Sequence, residues 1–173
     1  MTGAPAIVQN GRLDILAANA LGRALYSGTL APTGHPANHA RFIFLDPAAT
    51  GFYGSWDRAV SDTVAMLRAE AGRNPFDAEL SKLVGELATR SDTFRTQWAA
   101  HNVRQHLTGT KTFIHPVVGT MTLAYDALEV AGSSGLTMIA YTAEPGSASA
   151  EALSLLASWS ATNSDEPAHS AGV

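Results

Sequence analysis

Hydrophobic and polar residues alternate with a period of two in three runs of the C-terminal half, which predicts β-strands. The runs are Val103–Leu107, Lys111–Tyr125 and Leu136–Thr142, and they are rich in β-branched or aromatic residues. Because the connections between them are too short for helical crossovers, we expect an antiparallel meander. Pro116 and Gly119 interrupt the middle run, so a bend or bulge is predicted there.

A hairpin is predicted near the start of the chain, where Ile7-Val8 and Leu13–Leu16 flank the dipeptide Asn10-Gly11. Asn-Gly readily supplies the two positive φ angles of a type I′ turn. We expect residues 1–5 to form a flexible leader. The two strands of the hairpin can join the edge of the meander, which gives a five-stranded antiparallel sheet.

The residues between the hairpin and the meander have helical periodicity. The clearest helix carries an apolar stripe that includes Val60, Val64 and Leu67, and Gly72 ends it. The helix that follows is expected to carry Phe76 on its apolar face. Capping and turn residues predict that helices begin at or just after Asn19, Asn38, Asp46, Ser55, Asn74, Ser91 and Ser147.

This order of elements predicts an α+β fold, with a five-stranded antiparallel sheet and helices packed over one face. It is the plan of a PAS domain, in which the sheet and the covering helices enclose a ligand cavity. The chain of 173 residues is most simply one domain, covering residues 6–160. Residues 161–173 are polar and small, and we expect a disordered tail.

Composition and charge narrow the range of functions. The formal net charge is −4, and residues 112–173 contain six acidic and no basic residues, so this chain alone is a poor nucleic-acid binder. No apolar run approaches the roughly 20 residues that cross a bilayer, so no membrane partner is expected. The chain has no cysteine, and its start does not resemble a signal peptide. These features fit a cytoplasmic protein.

Six further segments occur in order, with sensible spacing, between Ile7 and Trp159. They are Leu13–Ala20, Asn38–Ala49, Leu67–Glu70, Leu83–Leu87, Ser91–Val103 and His115–Leu123. Together they resemble the ligand-binding domain of MmyB-like transcription regulators, a PAS-like module of actinobacterial helix-turn-helix proteins of the XRE type. The resemblance implies a non-enzymatic sensor domain behind a DNA-binding domain, with fatty acids or similar apolar molecules as ligands.

The chain begins almost at its first predicted strand, which leaves no room for the roughly 60–70 residues of a helix-turn-helix domain. It is therefore either a fragment made without its DNA reader or a natural stand-alone sensor. In both cases DNA is reached only through a helix-turn-helix domain that is missing here. A homodimer is compatible with the sequence.

Bulky apolar side chains are more numerous than a plain core requires. Rings over a bent sheet, together with adaptable methionines, can leave an apolar cavity for an acyl chain. In the alternative interpretation these side chains fill the interior, and the domain is a dimerisation or interaction module without a ligand. The candidate ligand-binding residues of this kind are Phe42, Phe44, Trp56, Val60, Val64, Phe94, Trp98, Phe113, Met121, Leu123, Tyr125, Met138 and Tyr141.

Two arginines, Arg41 and Arg95, stand beside apolar helical stretches. One interpretation is a surface salt bridge with Asp46, Asp57 or Asp92, which stabilises little. The other is that one arginine pairs with a ligand carboxylate in a partly buried, bidentate contact.

Among the histidines, His101 and His115 are candidates for the polar end of a ligand. The simpler interpretation is that each makes a hydrogen bond with a backbone group at the helix–sheet junction. No metal site is expected, because Pro36 interrupts any helix between His35 and His39 and no carboxylate has a ligand-like spacing.

No hydrolase or phosphate-binding motif is present either, so no enzyme is expected. A bound fatty acid or other apolar molecule takes the place of a cofactor.

Overall fold

The computed structural model describes residues 3–30, 37–100 and 108–164. Within these residues, five strands and seven helices form an α+β fold, as the sequence predicts. The elements are β1 (Ala6–Asn10), β2 (Ile15–Ala18), α1 (Ala20–Leu25), α2 (His39–Leu45), α3 (Ala49–Phe52), α4 (Trp56–Arg73), α5 (Ala78–Arg90), α6 (Asp92–Ala99), β3 (Thr108–His115), β4 (Gly119–Glu129), β5 (Leu136–Thr142) and α7 (Ala148–Ser164).

The strands form one antiparallel sheet in the order β2-β1-β5-β4-β3, which confirms the predicted five-stranded sheet. The N-terminal hairpin joins the meander through β1, where Ile7 lies opposite Ile139. Side chains alternate between the two faces of a strand. The face that carries Ile7, Phe113, Leu123 and Ile139 is buried, and we call it the inner face.

The meander is divided differently from the prediction. The predicted strand Val103–Leu107 lies outside the described residues, and the single run Lys111–Tyr125 is two strands, β3 and β4. The interruption is a chain reversal rather than a bulge: His115 pairs with Gly119, whose φ is 77°. Proline lacks a backbone donor and glycine tolerates positive φ. These two properties favour a tight turn as well as the bend that was predicted from them.

The first hairpin closes through a longer loop than predicted. Leu13 N–H donates to the carbonyl of Asn10 (2.9 Å), and Asn10 N–H donates to the carbonyl of Asp14 (3.2 Å). The Asn10 side chain also accepts from the amides of Arg12 and Asp14, both at 3.0 Å. The left-handed residue is Leu13 (φ 66°), not Asn10 or Gly11, so the type I′ prediction is wrong. Three-residue loops commonly place one left-handed residue at this point.

The apolar side chains form two separate clusters. The helical cluster joins α2, α4, α5 and α6 around Leu13, Ala40, Val64, Leu67, Leu80, Leu83, Leu87 and Phe94. The sheet cluster joins the inner face to α1, α2, α3, α7 and the first turns of α4. Its members are Ile7, Ile15, Leu21, Ala24, Leu25, Tyr26, Phe42, Ile43, Ala49, Tyr53, Ala59, Val60, Phe113, Met121, Leu123, Tyr125, Ile139, Tyr141, Ala152, Leu153 and Leu156.

Helix caps agree with the sequence at several ends. The side chains of Asn19, Asn38 and Ser91 accept from the amides of Gly22, Arg41 and Phe94, respectively. Ser55 precedes α4 but its side chain makes no capping hydrogen bond, and α4 runs one residue past Gly72.

Phe76 is not part of the helix that follows. Asp77 caps α5, and Phe76 is 97% exposed in the preceding turn. Asn74 and Pro75 lie in this turn, and α5 therefore begins only after Phe76.

Parts of the expected leader and tail lie among the described residues and are ordered by contacts or helix. In the expected leader, the Ala4 carbonyl accepts from the Asn19 side chain (2.8 Å) and the Pro5 carbonyl accepts from Tyr141 N–H (2.9 Å). Helix α7 extends to Ser164, which lies within the expected tail. The remainder of that tail is outside the described residues.

Leu13 offers a test of backbone strain against side-chain burial. Its side chain is 2% exposed, so Leu13→Ala should lower the free energy of unfolding by about 2–4 kcal/mol. Leu13→Gly removes one more carbon but relieves about 1 kcal/mol of left-handed strain. We therefore expect the glycine variant to be at least as stable as the alanine variant in urea denaturation. At the exposed strand residue Leu16, the usual order of alanine above glycine should hold, and the same order at residue 13 would contradict the assignment.

Candidate functional site

The largest group of predicted ligand-binding residues forms closely packed rings in the sheet cluster. Phe113 contacts Tyr26, Phe52, Tyr53 and Tyr141 with ring-centre distances of 5.4–6.0 Å, mostly edge-on or tilted. Interlocking rings at these distances are the usual packing of a protein core. The predicted residues buried in this cluster are Phe42, Val60, Phe113, Met121, Leu123, Tyr125 and Tyr141, and Phe44 and Trp56 pack against it.

Two pairs of polar side chains in and beside the sheet cluster bind each other, while His39 Nδ1 is buried with no hydrogen-bond partner among the described residues. The hydroxyls of Tyr26 and Tyr141 are 2.5 Å apart, and His39 Nε2 is 2.6 Å from the Tyr53 hydroxyl. Burial raises the pKa of all three tyrosines and, with the nearby charge of Lys111, lowers the pKa of His39 from 6.5 to about 3. His39 is therefore neutral, and the cluster carries no formal charge at neutral pH.

Three other predicted residues lie in or against the helical cluster. Val64 and Phe94 are buried there, and Trp98 stacks on Phe94 with ring centres 5.4 Å apart. The Arg68 guanidinium lies 4.7 Å from the centre of the Trp98 ring. These residues hold α4 against α6.

The predicted arginines are engaged by carboxylates on the helix surfaces. Arg41 binds Glu86 at 2.8 Å, a partner that the sequence did not suggest, and Arg95 pairs with Asp92. Arg95 is more than half exposed and Arg41 is one-third exposed. Their geometry matches the salt-bridge interpretation rather than a ligand contact.

His115 has the structural role that the simpler interpretation gives it. Its Nε2 lies 3.0 Å from the carbonyl of Ala24, and its Nδ1 accepts from Val117 N–H at 3.2 Å. The side chain is 2% exposed and ties β3 to α1. His101, His35 and His106 lie outside the described residues.

Met138 faces away from the inner face, contrary to the prediction. It pairs with Val8 and Leu128 and alternates with Ile139, which is buried in the sheet cluster. An almost continuously apolar strand gives no signal for which face its members take.

A narrow cavity lies between the two clusters, and we call it the trough. Its volume is about 200 Å³, and it runs between α4 and the inner face. Its middle is apolar and both ends are polar. Tyr125 is the one predicted site residue among its lining residues, which are Gln9, Asn10, Gly11, Leu13, Asp62, Met66, Arg73, Lys111, Tyr125, Ala127, Glu129, Thr137 and Ile139.

The helical side of the trough is one stripe of α4. Asp62, Met66 and Arg73 are spaced by four and seven residues, so they share a helix face and span about 16 Å. This stripe adjoins the buried stripe of Val64 and Leu67, which faces the helical cluster. The middle of the trough is closed on the sheet side by Tyr125, Ala127 and Ile139.

Lys111 is the distinctive group at one end. Its ammonium lies 5.0 Å from the centre of the Tyr125 ring and makes no ion pair within 4 Å among the described residues. Burial lowers the Lys111 pKa, Asp62 raises it and Arg58 lowers it again. Arg58 Nε is 3.9 Å from Asp62 Oδ2, so the three side chains carry a net charge of about +1.

Recesses adjoin the trough at both ends. Beyond Lys111 and Asp62 lies a space of about 180 Å³ beside Gly54 and Thr112. The other end opens into a surface recess between the C-terminus of α4 and the β4–β5 turn. There Gly11 is pressed against Glu70: a Cβ at Gly11 would lie 2.1 Å from the carboxyl carbon.

Sequence reasoning missed Lys111 and Gln9, although a signal for each existed. Lys111 is two residues from Phe113 on β3, so the alternation of that strand directs it to the inner face. Gln9 is likewise two residues from Ile7 on β1. A polar side chain that is two residues from a buried apolar one on the same strand also points inward, and it then needs a hydrogen-bond or charge partner.

The described residues contain no group of three or more His, Asp or Glu side chains that could hold a metal ion. None of the helices in the same residues is long and apolar enough to cross a membrane.

One protein family matches the chain. The model of the MmyB-like transcription regulator ligand binding domain covers residues 1–156. No curated protein matches the chain. The matched residues include every strand of the sheet and all of α4, so they include the complete trough.

The neutral state of His39 gives a test by pH. Because the folded pKa is about 3 and the ordinary value is 6.5, the unfolded chain binds the extra proton between these values. Stability from this group is complete above pH 6.5 and is lost as the pH falls, by about 2 kcal/mol at pH 5. We expect His39→Phe to show a smaller loss between pH 7 and pH 5 in urea denaturation. An equal loss in the variant and the natural protein would contradict this.

Proposed function

The chain belongs to the family of MmyB-like transcription regulator ligand-binding domains, and we propose that it holds an amphipathic, fatty-acid-like molecule in the trough. The observation that carries the proposal is the Lys111 ammonium, which pairs with no carboxylate among the described residues and lies at one polar end of a channel whose middle is apolar. A carboxylate at Lys111 supplies the missing countercharge. The alkyl chain then lies between Met66 and the inner face.

Charge favours an anionic head group at this end. Lys111 and Arg58 outnumber Asp62, and burial keeps the ammonium out of bulk water, where its attraction to a carboxylate is weak. Pairing with a carboxylate also removes the cost of a desolvated, unpaired cation.

The shape of the trough favours a single linear chain. About 200 Å³ is less than the ~300–1,000 Å³ of pockets that enclose drug-sized ligands, and this small volume extends along about 16 Å of α4. A straight chain follows the α4 stripe and passes into either recess when it is longer than the trough. Met66 adapts to such a chain because the thioether has three rotatable bonds.

We propose binding without catalysis. The described lining residues include no Ser, Cys or His, so they lack the nucleophile and the histidine base of Ser-His or Cys-His hydrolases. In a full-length regulator of the XRE type, the ligand acts by favouring one of two arrangements of the sensor and its DNA-binding domain. This requires different ligand affinities in the two arrangements.

A second candidate function is a dimerisation module. Leu155 on α7 is 64% exposed and Leu16 on β2 is 54% exposed, which leaves apolar side chains for a partner. Concentration-dependent association in sedimentation, together with no change of Tm on titration with straight-chain carboxylic acids, would favour this candidate. A ligand specific to the folded state raises Tm.

Removal of the Lys111 charge tests the head-group contact. Lys111→Met should weaken the binding of a straight-chain carboxylic acid about tenfold or more, because a hydrogen bond to a charged group is lost. The matched control is Lys82→Met, since Lys82 is exposed and pairs only with Glu79 among the described residues. Titration calorimetry measures both. Equal affinities for the two variants would contradict the role of Lys111.

Filling the trough tests its location. Ala127→Phe places a ring in the middle of the channel, and we expect it to abolish acid binding while Tm without ligand stays the same or rises. The control is Ala124→Phe on the exposed, opposite face of the same strand, which should bind normally. Unchanged binding by the Ala127 variant would place the ligand elsewhere.

A further inference from the structure

Gln9 lies at the end of the trough opposite Lys111. The pairing of β1 with β5 and of β5 with β4 sets Gln9 level with Glu129, whereas Lys111 is level with Leu123. Six residues of strand correspond to about 20 Å along the sheet. Both side chains nevertheless line the same channel, so the trough has two chemically distinct ends.

The Gln9 side chain is buried without satisfying its hydrogen bonds. It is 3% exposed, and its Oε1 is enclosed with no hydrogen-bond partner. A buried carbonyl oxygen without a donor is costly, and most such groups in folded proteins are paired. An apolar residue would also fit at this inward position of β1, two residues after Ile7. Packing alone therefore does not explain why the residue is a glutamine.

Two of the neighbouring polar side chains, Asn10 and Arg73, are engaged elsewhere. Asn10 uses its side-chain oxygen for the amides of Arg12 and Asp14 and its nitrogen for the Asp14 carboxylate. Arg73 binds Glu70 at 2.8 Å. These contacts leave the Gln9 amide as the buried polar group at this end of the trough that lacks a partner for its oxygen.

We propose that the ligand carries a second polar group, a hydroxyl at the end of the chain remote from its carboxylate, which binds the Gln9 amide. A hydroxyl both donates and accepts, so it satisfies whichever amide atom turns toward it. The inference rests on the proposed function, because it assumes that the carboxylate lies at Lys111. The ligand class is therefore an ω-hydroxy or similarly end-functionalised straight-chain acid rather than a plain fatty acid.

The energetic consequence is selectivity. A plain alkyl end leaves Oε1 unpaired and also buries the amide further from water. A site built to hydrogen-bond a hydroxyl discriminates strongly against an analogue that lacks it. Because the hydroxyl loses its own hydration on binding, we expect a net preference of about tenfold.

The experiment compares two series of acids by titration calorimetry on the full chain. One series is plain alkanoic acids of about 8–16 carbons, and the other is the ω-hydroxy acids of the same lengths, chosen to bracket the roughly 16–20 Å between the two ends of the trough. The natural protein is measured first, so the first result does not depend on any variant folding. Gln9→Leu follows, with Gln97→Leu on α6, outside the trough lining, as the matched control.

The expected result is a roughly tenfold preference for the ω-hydroxy acid at one or more chain lengths. Gln9→Leu should abolish this preference by binding the plain acid more tightly, and Gln97→Leu should retain it. Equal or tighter binding of the plain acid by the natural protein at every length overturns the inference and leaves the proposed function standing. A preference that survives in Gln9→Leu overturns the assignment to Gln9. If neither series binds, the proposed function fails and this inference fails with it.

Discussion

The course of α4 across the domain determines most of what lies beneath it. Its first turns contribute Ala59 and Val60 to the sheet cluster, and its later turns contribute Val64 and Leu67 to the helical cluster. A rigid helix that changes its packing partner in this way cannot also fill the space over the neighbouring strands. The stripe of Asp62, Met66 and Arg73 is left facing the sheet across the trough. The cavity is therefore a consequence of how one amphipathic surface divides between two clusters.

The position of α4 also separates the uncharged sheet cluster from the charged side chains at the ends of the trough. The sheet cluster contains four tyrosines and packs against His39, and all five side chains are uncharged at neutral pH because burial disfavours their charged forms. Lys111 stands at the edge of this region, and its charge contributes to the low pKa of His39. A carboxylate beside Lys111 would raise the pKa of His39 as well as the pKa of Lys111. The interior of the sheet cluster and the head-group end of the trough are thus coupled through charge.

The sequence predicts the sheet, most helices and the family, because these depend on alternation, capping residues and the order of segments. It does not locate the cavity. Phe113 and Tyr141 face inward as expected, but whether rings interlock or leave a gap depends on angles and volumes that no local pattern encodes. Arg41 was a reasonable candidate for binding a ligand carboxylate. In the fold, however, it pairs with Glu86, which is 45 residues away in the sequence. The inward position of Lys111 can be predicted from its spacing of two residues from Phe113 on β3, whereas only the tertiary structure shows that none of the described carboxylates pairs with its ammonium within 4 Å.

The close contact of Gly11 with Glu70 affects how a molecule reaches the trough. Glu70 is fixed in turn by Arg73 and Asn74, so the hairpin loop and the end of α4 form one stiff side of the opening. The opposite side is the β4–β5 turn, where Gly132 and Gly135 adopt φ values of 80° and 82° and no atom lies within 4 Å of an added Cβ. The backbone hydrogen bonds of this second side, from Ser133 N–H to the Val130 carbonyl and from Leu136 N–H to the Ser133 carbonyl, stay within the turn. Uptake and release should accordingly follow the motion of that turn, and their rates are separable from the affinity set deeper in the channel.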